Sequence, residues 1–575
     1  MPTIRLTLPD NIVIFGYFFL VLGIGIWFRR TQRTAEDYFA GGHQISWWLA
    51  GISHYMSGFS AFTFVVYSEI AYRYGLPAIL LFWTSVPACI LGGWLFAWRW
   101  RRARIITPVE FLEQRCNLRT RQLFAWAAIP AKLFEDALKI FTTSLFLSAG
   151  IGMEIRTSIL LCAVIVIVYT LLGGLLALVV TDYVQFLMKT LAVLLLLPLA
   201  IWHLGGISPA LHSIPSDLWR PVSGPYGWVY LISYAIIVFI SYNGGWSFAQ
   251  KYYSVPDEAS ARKAAYLAAA LNFIGTPIML LPAMMAHKLI PNISSLGSHN
   301  IYVNLLFRIL PAGMIGIIVA ALFSATMATV SADINAIASV LTRDFYQRIL
   351  NPAATDARLV AVGRIATLLL GIIIMALALW IAESHRESLF HMMVTAFGIL
   401  LAPTLLPLLS ALLFRRLNSG GVLSGFFAGM LSGVVTLAAK TFYLRSLGPA
   451  TTEALDYKLE GFSIIINVAV TCLAMLVGSR AFPSSEDERQ RAATFFCKLD
   501  TPVTKPSPPI ELQTTTTRTL IHISTGCVGF LLALSGFFSD STTARTIDGT
   551  LGAALISLSL FRLRNNIFRR QKVPQ

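Results

Sequence analysis

Apolar runs of about twenty residues recur from near the start of the chain almost to its end, and this pattern leaves few folds open. A helix of that length reaches about 30 Å, the thickness of a bilayer's hydrocarbon core. Composition agrees, since 56% of the 575 residues are hydrophobic and only 13% are charged, about half the charged share of a soluble globular chain. An ordinary cytosolic enzyme is excluded, and membrane spans become the units to count.

Hydropathy predicts an all-α polytopic membrane protein with about fifteen spans, near 11–28, 46–72, 76–98, 122–149, 157–177, 180–204, 228–250, 264–287, 305–341, 359–382, 388–414, 420–440, 461–479, 519–538 and 549–563. The net charge of +16 sits in short basic clusters between these runs, which points to membrane sidedness and away from nucleic acid as a partner. The first run lacks a basic stretch before it and is followed by Arg29, Arg30 and Arg33, so it reads as a retained helix with its N-terminus outside. That orientation puts about thirty Lys and Arg in cytoplasmic loops against about ten outside, with the C-terminus cytoplasmic. The expected partners are the lipid bilayer and a small solute, and the expected location is the plasma, or bacterial inner, membrane.

The polar stretch 484–517, with its acidic start, Pro-rich 502–509 and four threonines, reads as a flexible cytoplasmic linker before a two-helix appendage. The six cysteines, Cys89, Cys116, Cys162, Cys472, Cys497 and Cys527, have no spacing that suits a disulfide framework or a zinc site. Nor do the nine histidines form an HExxH pair, so no enzyme chemistry is expected.

Two spans interrupt their own aliphatic pattern. One carries small and polar residues through Trp48, Gly51, Ser53, His54, Ser57, Gly58 and Ser60; the other carries Ser241, Tyr242, Asn243, Gly244, Gly245 and Trp246. An interrupted helix at membrane depth is expected where it is buried in protein or lines a site, so both spans are expected to unwind there. Close helix packing is the other role small residues play in membrane helices, but it explains neither Asn243 nor His54. The breaks lie five spans apart, and because five is odd, the second set of five runs opposite to the first: an inverted repeat. A solute at midplane between the breaks would meet Ser57, Phe59, Ser60, Tyr242, Asn243 and Trp246.

Ionisable residues at membrane depth mark function by default. Glu135 and Lys139, at i, i+4, are spaced to pair with each other. Asp182 has no basic partner three or four residues away on its helix, so a cation or a polar network is its expected partner. The Ser/Thr-rich run 324–333 sets Ala325, Ala328 and Thr329 on one helical face, where oxygens can hold a monovalent ion or, equally, where hydroxyls bond their own helix carbonyls.

At these residues the sequence resembles the sodium/solute symporter family, which includes sugar, proline, pantothenate, sialic-acid and iodide carriers. The landmarks are Asp37-Tyr38-Phe39-Ala40-Gly41-Gly42 with Trp47-Trp48, the run Thr107-Pro108-Val109-Glu110-Phe111, Gly173-Gly174 with Thr181-Asp182-Tyr183-Val184-Gln185, and Thr342-Arg343-Asp344-Phe345-Tyr346. The resemblance implies a LeuT-like inverted 5+5 helix repeat with one extra N-terminal and about four extra C-terminal helices. Its divisions would be 1–45 (extra helix and cytoplasmic loop), 46–204 (first repeat), 228–414 (second repeat), 420–480 (two further helices), 481–518 (linker) and 519–575 (appendage). It also implies a co-transported sodium ion on the carbonyls of Ser53, Met56 and Ala325 and the hydroxyl of Thr329. Ala328 stands where the family usually has a second serine ligand. Asp182 and Ser331 match an accessory sodium position, with Ala332 again lacking a hydroxyl. Glu135 or Asp136 aligns near the basic residue that grips a carboxylate in sialic-acid carriers, while Ser60 and Ile79 replace the sugar-binding residues of sugar carriers, which favours a cationic or zwitterionic solute over a sugar. Sodium-coupled uptake of a small polar organic solute is therefore the expected function; a proton-coupled or uncoupled carrier, or a membrane sensor on the same fold, is the alternative.

Overall fold

The computed structural model describes residues 7–29, 35–172, 174–290, 301–310, 314–384, 389–448, 452–503 and 511–571. Arg30, Arg33, Gly173 and residues 504–510 of the expected linker lie outside them, as does the side chain of Asp37. The described residues are α-helical apart from short turns, with no strand ladder among them.

The long helices are α1 (Leu8–Arg29), α2 (Trp47–Ser57), α3 (Ala61–Tyr74), α4 (Leu76–Arg102), α5 (Leu118–Ile151), α6 (Ile155–Leu172), α7 (Leu175–His203), α8 (Trp228–Gly244), α9 (Trp246–Tyr253), α10 (Glu258–Leu289), α11 (Ile315–Leu350), α12 (Asp356–Ser384), α13 (Leu389–Leu413), α14 (Ser419–Leu447), α15 (Glu453–Ala481), α16 (Glu486–Asp500), α17 (Glu511–Phe538) and α18 (Thr542–Gln571). Eleven helices among the described residues are long and apolar enough to cross a membrane, or up to thirteen if each of two bent pairs is one span. The shortfall from the fifteen expected spans lies in α5, which carries Lys132, Glu135, Asp136 and Lys139 in mid-helix, and in the shorter α6.

Local sequence sets the helix ends. Asn117, Asp257, Asn418 and Thr452 each turn a side-chain oxygen onto an amide of the first turn, at 2.7–3.2 Å. Asp10 of α1 reaches another helix, accepting the Gly316 amide of α11 at 2.7 Å. From Ile315 to Val340 every residue of α11 is buried, as suits a rod that is apolar or hydroxyl-bearing all round. Packed on it are α1, α5, α6, α7, α12 and the halves of the first bent pair, so any group α11 carries between Ile315 and Val340 is enclosed by protein.

Part of the stretch read as a flexible linker is an ordered, docked helix. Ser485 caps α16, and Phe495, Phe496 and Leu499 are buried, with Phe495 stacked on Phe111 at 5.7 Å. Arg102 donates to the Leu499 carbonyl at 3.0 Å, Arg491 to the Cys116 carbonyl at 2.9 Å, and Glu488 accepts the Ser419 amide at 2.6 Å. Pro and charge in the sequence concealed an aromatic face spaced for burial. The appendage α17–α18 pairs with itself and leans on α1 and α7, where Tyr183 meets Thr525 at 3.1 Å.

Candidate ion and solute site

Both interrupted spans are bent. α2 and α3 meet at 58°, and α8 and α9 at 48°. The first break is confined to residues 58–60: the Gly58 and Phe59 amides tighten onto the carbonyls of Tyr55 and Met56, and Ser60 is extended (φ −128°, ψ 179°) to cap α3. The second is Gly245 alone, extended at φ −58°, ψ 135°. The two breaks touch. A Cβ on Gly58 would collide with the Tyr242 hydroxyl, so glycine is required for this approach, and the His54 ring lies 5.0 Å from Phe248 and 4.9 Å from Tyr252.

Between them is a cavity of about 100 Å³. Of the expected solute-lining residues, Ser57, Ser60, Glu135 and Tyr242 line it, and so does Thr329 of the expected ion site. The wall continues with hydroxyls of Thr63, Tyr67, Thr84, Ser85, Tyr234 and Ser241, the ammonium of Lys139, and the rings of Phe62, Phe82 and Phe248.

Phe59, Asn243 and Trp246 stand apart from that wall. Phe59 packs behind it, on Phe64 and Phe82 and against the Lys189 ammonium. Asn243 ties α8 to α4, donating to the Ala88 carbonyl at 3.1 Å and to Phe239 at 2.9 Å, while its own carbonyl accepts from Trp100 at 3.0 Å. Trp246 is buried beside a second small void shared with Lys132 and Glu135.

The expected ion ligands come from α2 and α11. The Ser53 carbonyl accepts the Ser57 hydroxyl at 2.9 Å and the Met56 carbonyl accepts the Phe59 amide at 3.1 Å. Thr329 donates to the carbonyls of Thr326 at 3.0 Å and Ala325 at 3.4 Å, and Ser331 to that of Ala328 at 3.4 Å, so both hydroxyls bond within their own helix and remain acceptors outward. Asp182 accepts the Ser53 hydroxyl, which joins the accessory position to a residue of the main one.

The charge at depth is richer than the sequence reading. Lys139 pairs with Glu135 at 2.8 Å, as the spacing suggests, but also with Asp136 and with Asp333 of α11, each at 3.0 Å. Lys132 joins through Glu135 at 2.8 Å and Asp333 at 3.4 Å. The helical spacing 132, 135, 136, 139 could have revealed Lys132; nothing local announces that Asp333 is its partner. Thr326 was likewise missed as a junction: it accepts the Ala61 amide that opens α3 at 3.1 Å and meets Thr143 of α5 at 2.6 Å. Among the described residues no group of His, Cys, Asp and Glu could hold a metal ion by itself.

Two bent spans meeting at a buried polar cavity, inside an all-α body of long apolar helices, define an integral membrane protein of the broken-helix kind. The comparisons give the family. The model of the sodium:solute symporter family matches residues 38–429, and the chain belongs to that family. It is 25% identical to the rat sodium/glucose cotransporter 2 over 489 residues, 76% of this chain and 72% of that protein. To the sodium/sialic acid symporter SiaT of Proteus mirabilis it is 24% identical over 483 residues, 77% of this chain and 96% of that one. Its fold matches the outward-open structure of a Na+-coupled sialic acid symporter with a TM-score of 0.71 at 21% identity, covering 84% of this chain and 99% of the other.

Proposed function

We propose that the protein is a secondary active carrier that couples sodium entry to uptake of a small polar organic solute, zwitterionic or cationic in character. The observation that carries this reading is the meeting of both breaks at one cavity, whose wall includes Thr329, Ser57 and Glu135. Sodium would sit on the carbonyls of Ser53, Met56 and Ala325 and the hydroxyl of Thr329; Ala328 supplies no side-chain oxygen, so water completes the shell. Asp182 with Ser331 offers the accessory position. The ion holds α2 against α11, and the state so held presents the solute cavity complete, so coupling is a difference in affinity between conformations.

Solute class follows from charge. The cluster of Lys132, Lys139, Glu135, Asp136 and Asp333 holds two cations and three anions, and its cavity-facing members are Glu135 and Lys139. A solute ammonium would pair with Glu135, and a solute carboxylate with Lys139. Residues 46–204 and 228–414 would form the two inverted repeats, with α5 and α6 crossing the membrane to complete fifteen spans. The N-terminus would then be outside and the C-terminus cytoplasmic, as the basic loops favour.

The test is uptake into proteoliposomes under an imposed sodium gradient, screened across amino acids, amines, carboxylates and sugars. Uptake of a zwitterion or amine driven by sodium and lost in Thr329→Ala is the expected result. Sodium dependence that survives Thr329→Ala would overturn the ion site, and a sugar as preferred solute would overturn the solute class.

A further inference from the structure

Helix α7 aims two charged side chains, two turns apart, at the first break. Asp182 reaches Ser53 of α2. Lys189, 2% exposed, places its Nζ 3.6 Å from the ring centroid of Tyr55 and 3.5 Å from that of Phe59. Tyr55 lies in the last turn of α2 and Phe59 inside the break, so the ammonium rests beside the joint.

No hydrogen-bond acceptor meets this Nζ, and no carboxylate faces it among the described residues. Asp182, on its own helix, is taken by Ser53. Asp333 of α11 faces Lys132 and Lys139, Asp10 of α1 caps α11, and Glu258 of α10 pairs with Arg102. Glu36, in the short helix Ala35–Ala40 beside α7, pairs with His43. His287 of α10 stacks on Tyr72, His212 bonds Ser208, and Arg308 of Ile301–Ile309 is exposed. Among the described residues Tyr55 is thus the titratable group in contact with Lys189. Two ring faces stabilise a desolvated ammonium, yet without an anion it remains the least secured charge in the core.

Around the breaks stand four lysines, Lys132, Lys139, Lys189 and Lys251, and four carboxylates, Glu135, Asp136, Asp182 and Asp333. Fully ionised, they balance before any ion enters. An added sodium leaves one uncompensated positive charge in a low-dielectric interior, where like charges repel strongly. Lys251 has the carboxylates of Asp182 and Asp333 near it; Lys189 has no carboxylate near it among the described residues.

We propose that sodium binding at the first break expels the proton of Lys189, so that the carrier exchanges one proton for one sodium in its core and moves protons against sodium during transport. The step is R–NH3+ + H2O → R–NH2 + H3O+, the water being that which enters with the ion. This rests on the sodium site proposed above and adds to it a titratable cation seated outside that site.

The test titrates sodium chloride into the purified full chain by calorimetry, in two buffers of different ionisation heat at neutral pH, with choline chloride as control. The wild type is expected to release about one proton per sodium bound. Lys189→Met is expected to bind sodium and release none. Lys189→Arg, whose guanidinium keeps its proton, is expected to release none and to bind sodium at least tenfold more weakly. Should Lys189→Met fail to fold, Phe59→Leu and Phe59→Tyr decide the matter. Losing a ring favours the amine, so Phe59→Leu is expected to move the pH midpoint of proton release about one unit toward acid, while Phe59→Tyr leaves it in place. A wild type that binds sodium without releasing protons, release undiminished in Lys189→Met, or an unmoved midpoint in Phe59→Leu overturns the proposal. Absence of any sodium heat in the wild type would instead overturn the sodium site on which it rests.

Discussion

Thr326→Val tests how the first bent span is held against the buried rod. Valine keeps the volume of threonine and removes one hydroxyl. That hydroxyl accepts the Ala61 amide at 3.1 Å and meets Thr143 at 2.6 Å. Thr143 spends its own proton on the Lys139 carbonyl at 2.8 Å, so Thr326 is the donor in the pair, and both of its hydrogen-bonding roles are filled. Without it the Ala61 amide, in the first turn of α3 and lacking an intrahelical acceptor, is buried unpaired at a cost of about 1–3 kcal/mol. Loss of the hydroxyl pair adds about 1 kcal/mol. The sum, about 2–4 kcal/mol, is a thirty-fold to several-hundred-fold shift in a folding equilibrium. Equilibrium unfolding in mixed detergent micelles reads it. Thr326→Ser, which keeps both bonds, is expected to unfold like the wild type, and Thr143→Val, which loses the pair and the Thr143–Lys139 bond but leaves the Ala61 amide paired, to show about 1–2 kcal/mol. A Thr326→Val protein as stable as the wild type would refute the claim that this hydroxyl anchors α3.

Gly92→Ala places a Cβ against the Asn243 side chain, whose amide is pinned to the Ala88 and Phe239 carbonyls; thermal unfolding should reveal a loss of about 1–3 kcal/mol, relieved in the double variant with Asn243→Ala. Asp333→Asn removes the anion shared by Lys132 and Lys139, and a buried pair broken from one side costs about 3–5 kcal/mol, so unfolding of the purified protein should show a large loss that Lys132→Met partly restores. Glu113 lies outside the long apolar spans; burial raises its pKa, but Arg348 and Arg121 outweigh that and hold it below the ordinary carboxylate value. Its contribution is therefore full above the ordinary value, about 4.5, and fades as pH falls through the lowered one. Melting curves of Glu113→Gln should lie below the wild type at neutral pH and converge with it on acidification.

Much of the architecture was legible because lipid imposes one rule, that a helix stays continuous unless protein surrounds its interruption. Runs of Gly, Ser and Asn in apolar context located both breaks, and the bends fall where that reasoning put them, at 58–60 and 245. Side-chain aim was not legible. Asn243 and Ser57 look alike as polar residues beside a break, yet one braces α4 and the other lines the cavity, because a helix of 3.6 residues per turn faces a different neighbour at each step. The partners of Asp333 were not legible for a related reason: they lie about two hundred residues earlier, and no local spacing reports a pairing made by tertiary packing. The docked α16 was hidden by composition, since prolines and charges near it outweighed Phe495, Phe496 and Leu499 in any average over the window.

Unmet hydrogen-bonding capacity is found at the loop ends and near the breaks alike. At the loop ends Arg115 donates to the carbonyls of Phe414, Arg415 and Leu417, and Arg415 grips both oxygens of Asp500, while Arg115 Nε and Asp344 Oδ2 meet no partner. Near the breaks it is left open at Asp182 Oδ1, Lys189 Nζ, Lys251 Nζ and Asn243 Oδ1, all buried. A buried polar atom without a partner costs about 1–3 kcal/mol, so an ion or solute entering at the breaks would gain by pairing with these groups. Under the proposed mechanism, an ion or a solute that satisfied some of them would stabilise the conformation it binds, and its exit would return the cost, leaving two states of similar free energy within reach of one set of helices.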